Sequence, residues 1–413
     1  MDILNYYRKF VEKSRSLCAE YLKNRRIDVF LLTAAAAVLT LVAVHQACRV
    51  ADKPKRIDIS ISSQCGDLFG KDTVDALIRE FEEQYSHLRI QEITPEAAVA
   101  GGRSPDIVFF DDSEFGSLIN ASALAPLDPY RQTDDQEEQP VQWALPLVSF
   151  MDIFLYNIDI LEAANCDRPP KTRVEFLAAA RAVAESNPPS PEQSPVFPFA
   201  LGLSPLDPLA LRRDFYPWIW TSGVNINSID ISGDNPALPR AVTDTIAFLG
   251  QLNREELLAP ATFEKTGTQR LEEFAAGKIA MITASTRDIA FLQNNARGVA
   301  FGITALPAIT QGKNRLGLLS IYAGMSSACT QPDEAWIFLT FLAEKSNVLA
   351  EALDAVPGSF PGIFAGEYIE KNALYSKAWD IFEAADIIEY RPGQPSEEAL
   401  NRIFREKLAE AFE

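Results

Sequence analysis

Two α/β lobes, each a doubly wound sheet, behind an N-terminal transmembrane helix: this is the fold class that the 413-residue sequence predicts. Three observations carry it. The length exceeds what one hydrophobic core serves comfortably, which asks for two lobes. From residue 57 onward, strand-like runs alternate with amphipathic helical runs, the pattern of a parallel sheet covered by helices. Residues 29–48, "VFLLTAAAAVLTLVAVHQAC", carry no formal charge. As a helix rising about 1.5 Å per residue, that run is about 30 Å long and spans a bilayer core.

The N-terminal elements come first. "KNRR" (Lys23 to Arg26) precedes the apolar run, with Arg8, Lys9, Lys13 and Arg15 upstream. The positive-inside rule then keeps the N-terminus in the cytoplasm and exports the body, although Lys53, Lys55 and Arg56 on the far side oppose this. A cleaved signal peptide has a shorter basic region and small residues before its cleavage site. Here His45 and Gln46 stand in "VHQAC", so an uncleaved signal anchor is expected, with a lipoprotein lipidated at Cys48 as the alternative. Ile3, Tyr7, Phe10, Leu17 and Tyr21 share a helical face, which either lies along the membrane or is simply solvated. The expected organisation is a cytoplasmic basic segment over 1–28, the anchor over 29–48, a linker over 49–56 and a body over 57–413.

The body opens with "RIDISISS", where Ile57, Ile59 and Ile61 alternate with polar residues as in a strand. "DTVDALIREFEEQY" is a helix with Val74, Leu77, Ile78 and Phe81 on one face. "LRIQEIT" and "GGRSPDIVFFDD" give two further strands, the second apolar enough to be buried in a parallel sheet, and "SEFGSLINASALAPLD" is helix then loop. Residues 143–161 open the next unit with an extended apolar stretch. "RVEFLAAARAVAES" is helical, and "DFYPWIWTSG" is a helix stopped at Gly223. Further along come a helix in "PRAVTDTIAFLGQLNR" and a helix, glycine and strand in "TGTQRLEEFAAGKIAMITAS". A strand in "GVAFGITALPAI", a helix over 332–346 and a mostly helical C-terminus complete the order.

Composition removes several functions. Hydrophobic content of 47% and aromatic content of 10% belong to a globular chain rather than a disordered one. Residues 57–413 hold 27 of the 38 Lys+Arg but 52 of the 57 Asp+Glu, a net of −25; without a basic footprint, nucleic acid is not an expected partner. Cys65, Cys166 and Cys329 are too scattered for a disulfide framework, and no Cys/His metal spacing occurs. The two histidines are His45 and His87, so a nucleophile–histidine centre could draw only on His87, at a helix end. A hydrolase with paired carboxylates has no motif behind it. No cofactor is implied.

The words of the body, in this order, resemble the bacterial extracellular solute-binding proteins of ABC transporters, family 1, the sugar-binding group. "SPDIVFFDD" is similar to the segment that closes the first lobe's ligand face. "ALPLVSFMDIFLYNIDIL" is similar to the crossing strand with its Pro146, Tyr156 and Asn157. "FYPWIWTSGV" resembles the aromatic helix ending in glycine, and "FAAGKIAMI" the Gly277, Lys278, Ala280, Met281 strand. "ALPAI" and "PDEAWIFLTFLAEKS" resemble the last crossing strand and its helix. The resemblance covers about residues 57–413. It implies a periplasmic-binding-protein-like fold, two α/β lobes joined by crossing hinge strands. Lobe 1 is expected at about 57–149 and 306–345, lobe 2 at about 150–305 and 346–413.

What it implies for the site is taken residue by residue. Ser63, Gln64 and Gly66 follow the first strand, where the family's first lobe meets ligand, or they are only a turn. Asp111 and Asp112 end a strand at its carboxyl edge, where open sheets bind ligands, and one of them equally suits a helix N-cap. Phe150 stands where relatives often place a polar or acidic sugar contact, and Arg287 where many have tryptophan. The latter exchange puts a cation where a stacking ring would be. Ser320, Tyr322 and Phe360 are further candidates. For Trp218 and Trp220, two residues apart on a helix, one ring is expected in the core and one at the ligand; Trp220 is assigned to the ligand. The expected function is delivery of a small polar solute, a carbohydrate, to a membrane permease by a monomeric, non-catalytic receptor. The alternative is an anchored sensor or scaffold that keeps the fold without transport.

Overall fold

The computed structural model describes residues 9, 12, 13, 15, 16, 56–94, 97, 102, 104–130, 141–188, 194–231, 237–310, 314–353, 356, 357, 373–388 and 397–413. The predicted transmembrane segment, residues 29–48, lies outside them, as does Phe360. Among the described residues, no helix is long and apolar enough to cross a membrane. The chain divides into two compact units, Met1–Ile57 and Asp58–Glu413, and the second carries the α/β fold.

The order of that fold is β1 (Ile57–Ser62), α1 (Gln64–Phe69), α2 (Lys71–Gln84), β2 (Leu88–Ile93), β3 (Ile107–Asp111), α3 (Asp112–Asn120) and β4 (Ala144–Asn157). Next come α4 (Ile158–Ala163), α5 (Arg173–Ser186), β5 (Phe197–Ala200), α6 (Ala210–Asp214), α7 (Tyr216–Trp220), α8 (Arg240–Arg254), α9 (Gly267–Ala275) and β6 (Ile279–Ser285). The remainder is α10 (Arg287–Asn295), β7 (Phe301–Thr304), β8 (Asn314–Leu316), β9 (Leu318–Met325), α11 (Pro332–Glu344), α12 (Ser346–Ala352), β10 (Val356–Pro357), α13 (Ala373–Glu383), β11 (Ala385–Ile387) and α14 (Glu397–Phe412).

Period-two and period-3.6 patterns account for the elements seen. In β1, Ile59 and Ile61 are fully buried, and α2 buries Val74, Leu77 and Phe81 on one face. Helix α9 starts with a capping box, Thr266 and Gln269 bonding each other's backbone N–H groups.

The sheet departs from the parallel sheets expected of each lobe. It is one nine-stranded mixed sheet in the order β2-β1-β3-β9-β4-β6-β5, with β7 and β10 also paired to β4. β1–β3 and β5–β6 are parallel, while β9 and β4 run antiparallel to their partners. β4 joins the two halves of this sheet. Its 14 residues reach about 46 Å at about 3.3 Å each, too long for one lobe. Ala144–Met151 pair with β9, and Asp152–Asn157 pair with β6 and β7. One half of the sheet, with its helices, makes one lobe and the other half the second; β4 belongs to both.

The two tryptophans of α7 correct the sequence expectation. Trp218 and Trp220 are both 0% exposed. Trp218 sits among Phe154, Phe176, Phe199 and Phe248 at centroid distances of 5.3–6.2 Å. Trp220 packs edge-on to Tyr216, with the Arg212 guanidinium carbon 4.3 Å over its ring. A Cβ on Gly317 would collide with that ring. Opposite faces of α7 thus both meet protein, because this five-residue helix is an interior element covered on both sides. Residues two apart on a helix point about 200° from each other, which leaves one ring exposed only where the helix lies at a surface. Gly223 ends the stretch as expected, at φ +92° with its N–H bonded to Trp220 O at 2.8 Å.

Candidate ligand-binding site

The site is organised by the two faces of the β4–β9 ladder. Opposed residues of an antiparallel pair share a face, and successive residues alternate. The pairs Val148–Ile321 and Phe150–Leu319 therefore lie on one face, and Ser149–Ser320 on the other.

On the first face is a cavity of about 240 Å³ lined by Leu68, Phe150, Arg287, Ala290, Ile321 and the end of α12 at Leu353. Its walls come from elements that follow the carboxyl ends of β1 and β6, namely α1 and α10. Such ends are where open α/β sheets hold ligands. The Arg287 guanidinium carbon stands 5.5 Å from the Phe150 ring centroid, a cation–π contact on the cavity wall. Neighbouring Asp288 is engaged elsewhere: its Oδ2 accepts from Ser285 N at 2.8 Å and from Ser285 Oγ at 3.1 Å. Phe150 is buried and Arg287 exposed.

On the second face lies a polar cluster. Asp112 accepts from Ser320 N at 2.7 Å and from Tyr322 Oη at 3.0 Å, and Ser320 Oγ meets Ser149 Oγ at 2.8 Å. Burial pushes the Asp112 carboxyl up to about 7, against the pull of Arg212 and of these two donors. Behind it, Arg212 Nη1 lies 3.2 and 3.3 Å from the two Asp152 oxygens, and Asp152 Oδ2 accepts from Gly317 N at 3.1 Å. Asp152 too is pushed up, to about 6, chiefly by burial. Removing one partner of such a buried pair leaves a stranded charge and is strongly destabilising.

The expected site residues therefore separate. Phe150 and Arg287 come together on the cavity. Asp112, Ser320 and Tyr322 come together on the opposite face of the ladder, where they tie α3 to β9. Asp111 is an N-cap: its Oδ1 accepts from Ser113 N at 2.9 Å. Ser63 is half-buried and Gln64 exposed at the start of α1, the helix that sends Leu68 to the cavity. Sequence reasoning missed the lining residues Leu68, Ala290, Ile321 and Leu353 and the Asp152–Arg212 pair. An aspartate inside the apolar run "SFMDIFLYN" was the available signal, since a carboxylate in a buried strand needs a cation. Among the described residues, no group of three or more His, Cys, Asp or Glu side chains could hold a metal ion, and Cys65, Cys166 and Cys329 are free thiols.

Comparison with known proteins settles the family. The profile of the bacterial extracellular solute-binding proteins matches residues 72–348. The chain belongs to this family. A comparison with curated protein sequences finds no match. Among solved structures, the solute-binding chain is similar to the cyclic α-maltosyl-1,6-maltose binding protein of Arthrobacter globiformis, with 15% identity, a TM-score of 0.66, and coverage of 86% of this chain and 94% of that one. It is also similar to the GacH receptor of Streptomyces glaucescens, solved unliganded and with acarbose, at 17% identity, TM-score 0.61, and 86% and 92% coverage. A solute-binding protein of an ABC transporter from Thermotoga lettingae, bound with α-D-tagatose, gives 16%, 0.62, 87% and 94%. The likeness to all three is one of fold.

Proposed function

We propose that this solute-binding protein is the carbohydrate-binding component of an ABC transporter. In this reading residues 29–48 hold it, as an uncleaved single-pass anchor, at the outer face of the cytoplasmic membrane. It acts as a monomer that hands its ligand to a permease. The observation that carries the reading is the cavity on the β4–β9 ladder, with a largely apolar lining, one cation at Arg287, and walls from helices that follow strand ends in both halves of the sheet. Apolar lining residues meet the C–H faces of a sugar ring, and a few placed polar groups fix its orientation. The ligand names of the similar structures, acarbose, tagatose and a cyclic maltosyl-maltose, favour the same class.

Binding and lobe closure perform the work, with ligand shifting the population toward the closed form. The described cavity wall contains no nucleophile–base pair that would ask for a reaction. A thermal-shift screen of the protein against mono- and oligosaccharides tests the assignment. A ligand at 100 times its dissociation constant adds about 2.7 kcal/mol of stability. With a bound sugar in hand, small-angle scattering is expected to give a smaller radius of gyration than without it. An unchanged radius despite binding refutes closure, and no stabilisation by any sugar refutes the carbohydrate reading.

A further inference from the structure

The cavity has an unusual charge balance. Leu68, Phe150, Ala290, Ile321 and Leu353 are apolar; the one charged side chain among its described lining residues is Arg287. That guanidinium has no ion-pair partner among the described residues. Its chain neighbour Asp288 is bonded to Ser285 instead, and the carboxylates of Asp112 and Asp152 are spoken for by Ser320, Tyr322 and Arg212. The contact that Arg287 makes among the described residues is with the Phe150 ring, whose centroid lies 5.5 Å from the guanidinium carbon; a guanidinium carries five N–H donors for a carboxylate to take.

We infer that the ligand of this cavity is an anionic monosaccharide, a uronate-type sugar acid whose carboxylate takes the N–H donors of Arg287 while its ring lies against the apolar wall of the cavity. This rests on the carbohydrate reading above and narrows it. The charge argument comes first. When the lobes close over a neutral sugar, the guanidinium loses water and gains only hydroxyl acceptors, and a desolvated unpaired charge is costly. When they close over a carboxylate, it gains a bidentate pair with hydrogen bonds about twice as strong as neutral ones. Size points to a single ring: about 240 Å³ lies below the roughly 300–1,000 Å³ of sites for larger ligands. The body's net charge of −25 offers an anion no long-range attraction, so the preference has to come from Arg287 itself.

The test is calorimetric titration of the full chain in detergent with D-glucuronate and D-galacturonate, and with D-glucose and D-galactose as their neutral counterparts. The expected result is an affinity for at least one uronate ten or more times that for its neutral counterpart. Arg287→Gln is expected to bring that ratio down to about one. Arg287 is exposed, so the variant's melting temperature without ligand, expected unchanged, confirms that it folds. Neutral sugars bound as tightly as the acids, or a ratio that survives Arg287→Gln, overturn this inference and leave the carbohydrate reading standing. Binding of none of the four overturns the inference, and failure of the wider sugar screen as well is what removes the carbohydrate reading.

Discussion

Replacing Asp112 with asparagine is expected to remove a defined part of the protein's pH dependence. The ordinary aspartate value is 3.8, and burial raises Asp112 to about 7. Between those values the folded protein keeps a proton that the unfolded chain has lost, so stability falls as pH rises. The contribution is complete below about pH 4 and gone above about pH 7. Integrating the two titrations from pH 5 to pH 8, at about 1.36 kcal/mol per unit, gives a loss of about 2–3 kcal/mol from this one carboxyl. Asparagine keeps a carbonyl to accept from Ser320 N and cannot ionise. Asp152 and Asp214, both raised to about 6 by burial, slope the same way in both proteins, so the difference between variant and parent is the quantity to read. Urea unfolding of residues 56–413 at pH 5, 6, 7 and 8 measures it. Asp112→Asn is expected to gain about 2–3 kcal/mol on the parent between pH 5 and pH 8, whatever offset the lost contacts impose. A difference that stays constant across that range refutes the assignment of a raised value to Asp112.

Two further outcomes are expected. Trp218→Ala and Trp220→Ala should each cost about 3–5 kcal/mol of stability by denaturant unfolding, because both rings are packed core; a Trp220→Ala variant that keeps its stability but loses ligand would restore the platform role. The intact mass of the membrane-extracted protein should include residues 1–28, whereas a mature N-terminus at Cys48 carrying acyl mass refutes the uncleaved anchor.

What was legible in the sequence follows the range of the interactions concerned. β1, α2, β2, β3 and α3 could be read from residues a few positions apart, because a strand or helix face is a local pattern. The antiparallel entry of β9 between β3 and β4 could not: Val108 meets Gly324, and Phe150 meets Leu319, across well over a hundred residues. The burial of both α7 tryptophans was hidden for the same reason, since the second side is closed by Arg212 and Gly317. Arg212 in turn is held inside by Asp152 of β4. One charge in a strand thus decided the fate of a ring elsewhere in the chain.

The cavity gathers residues 68, 150, 287, 321 and 353, and only the resemblance pointed to two of them, as places where the pattern of relatives fails. At 150, where relatives often carry a polar or acidic contact, stands an aromatic ring; at 287, where many carry a tryptophan, stands a cation. Read along the chain, these are two unrelated losses that weaken a sugar assignment. In the structure the two side chains touch, with the guanidinium over the ring at 5.5 Å. Phe150 is buried and its ring backs the Arg287 guanidinium, so the polar feature that this wall presents to a ligand is the cation. A cation held against a buried ring, in a wall otherwise apolar, suits a sugar that carries a carboxylate better than one that does not.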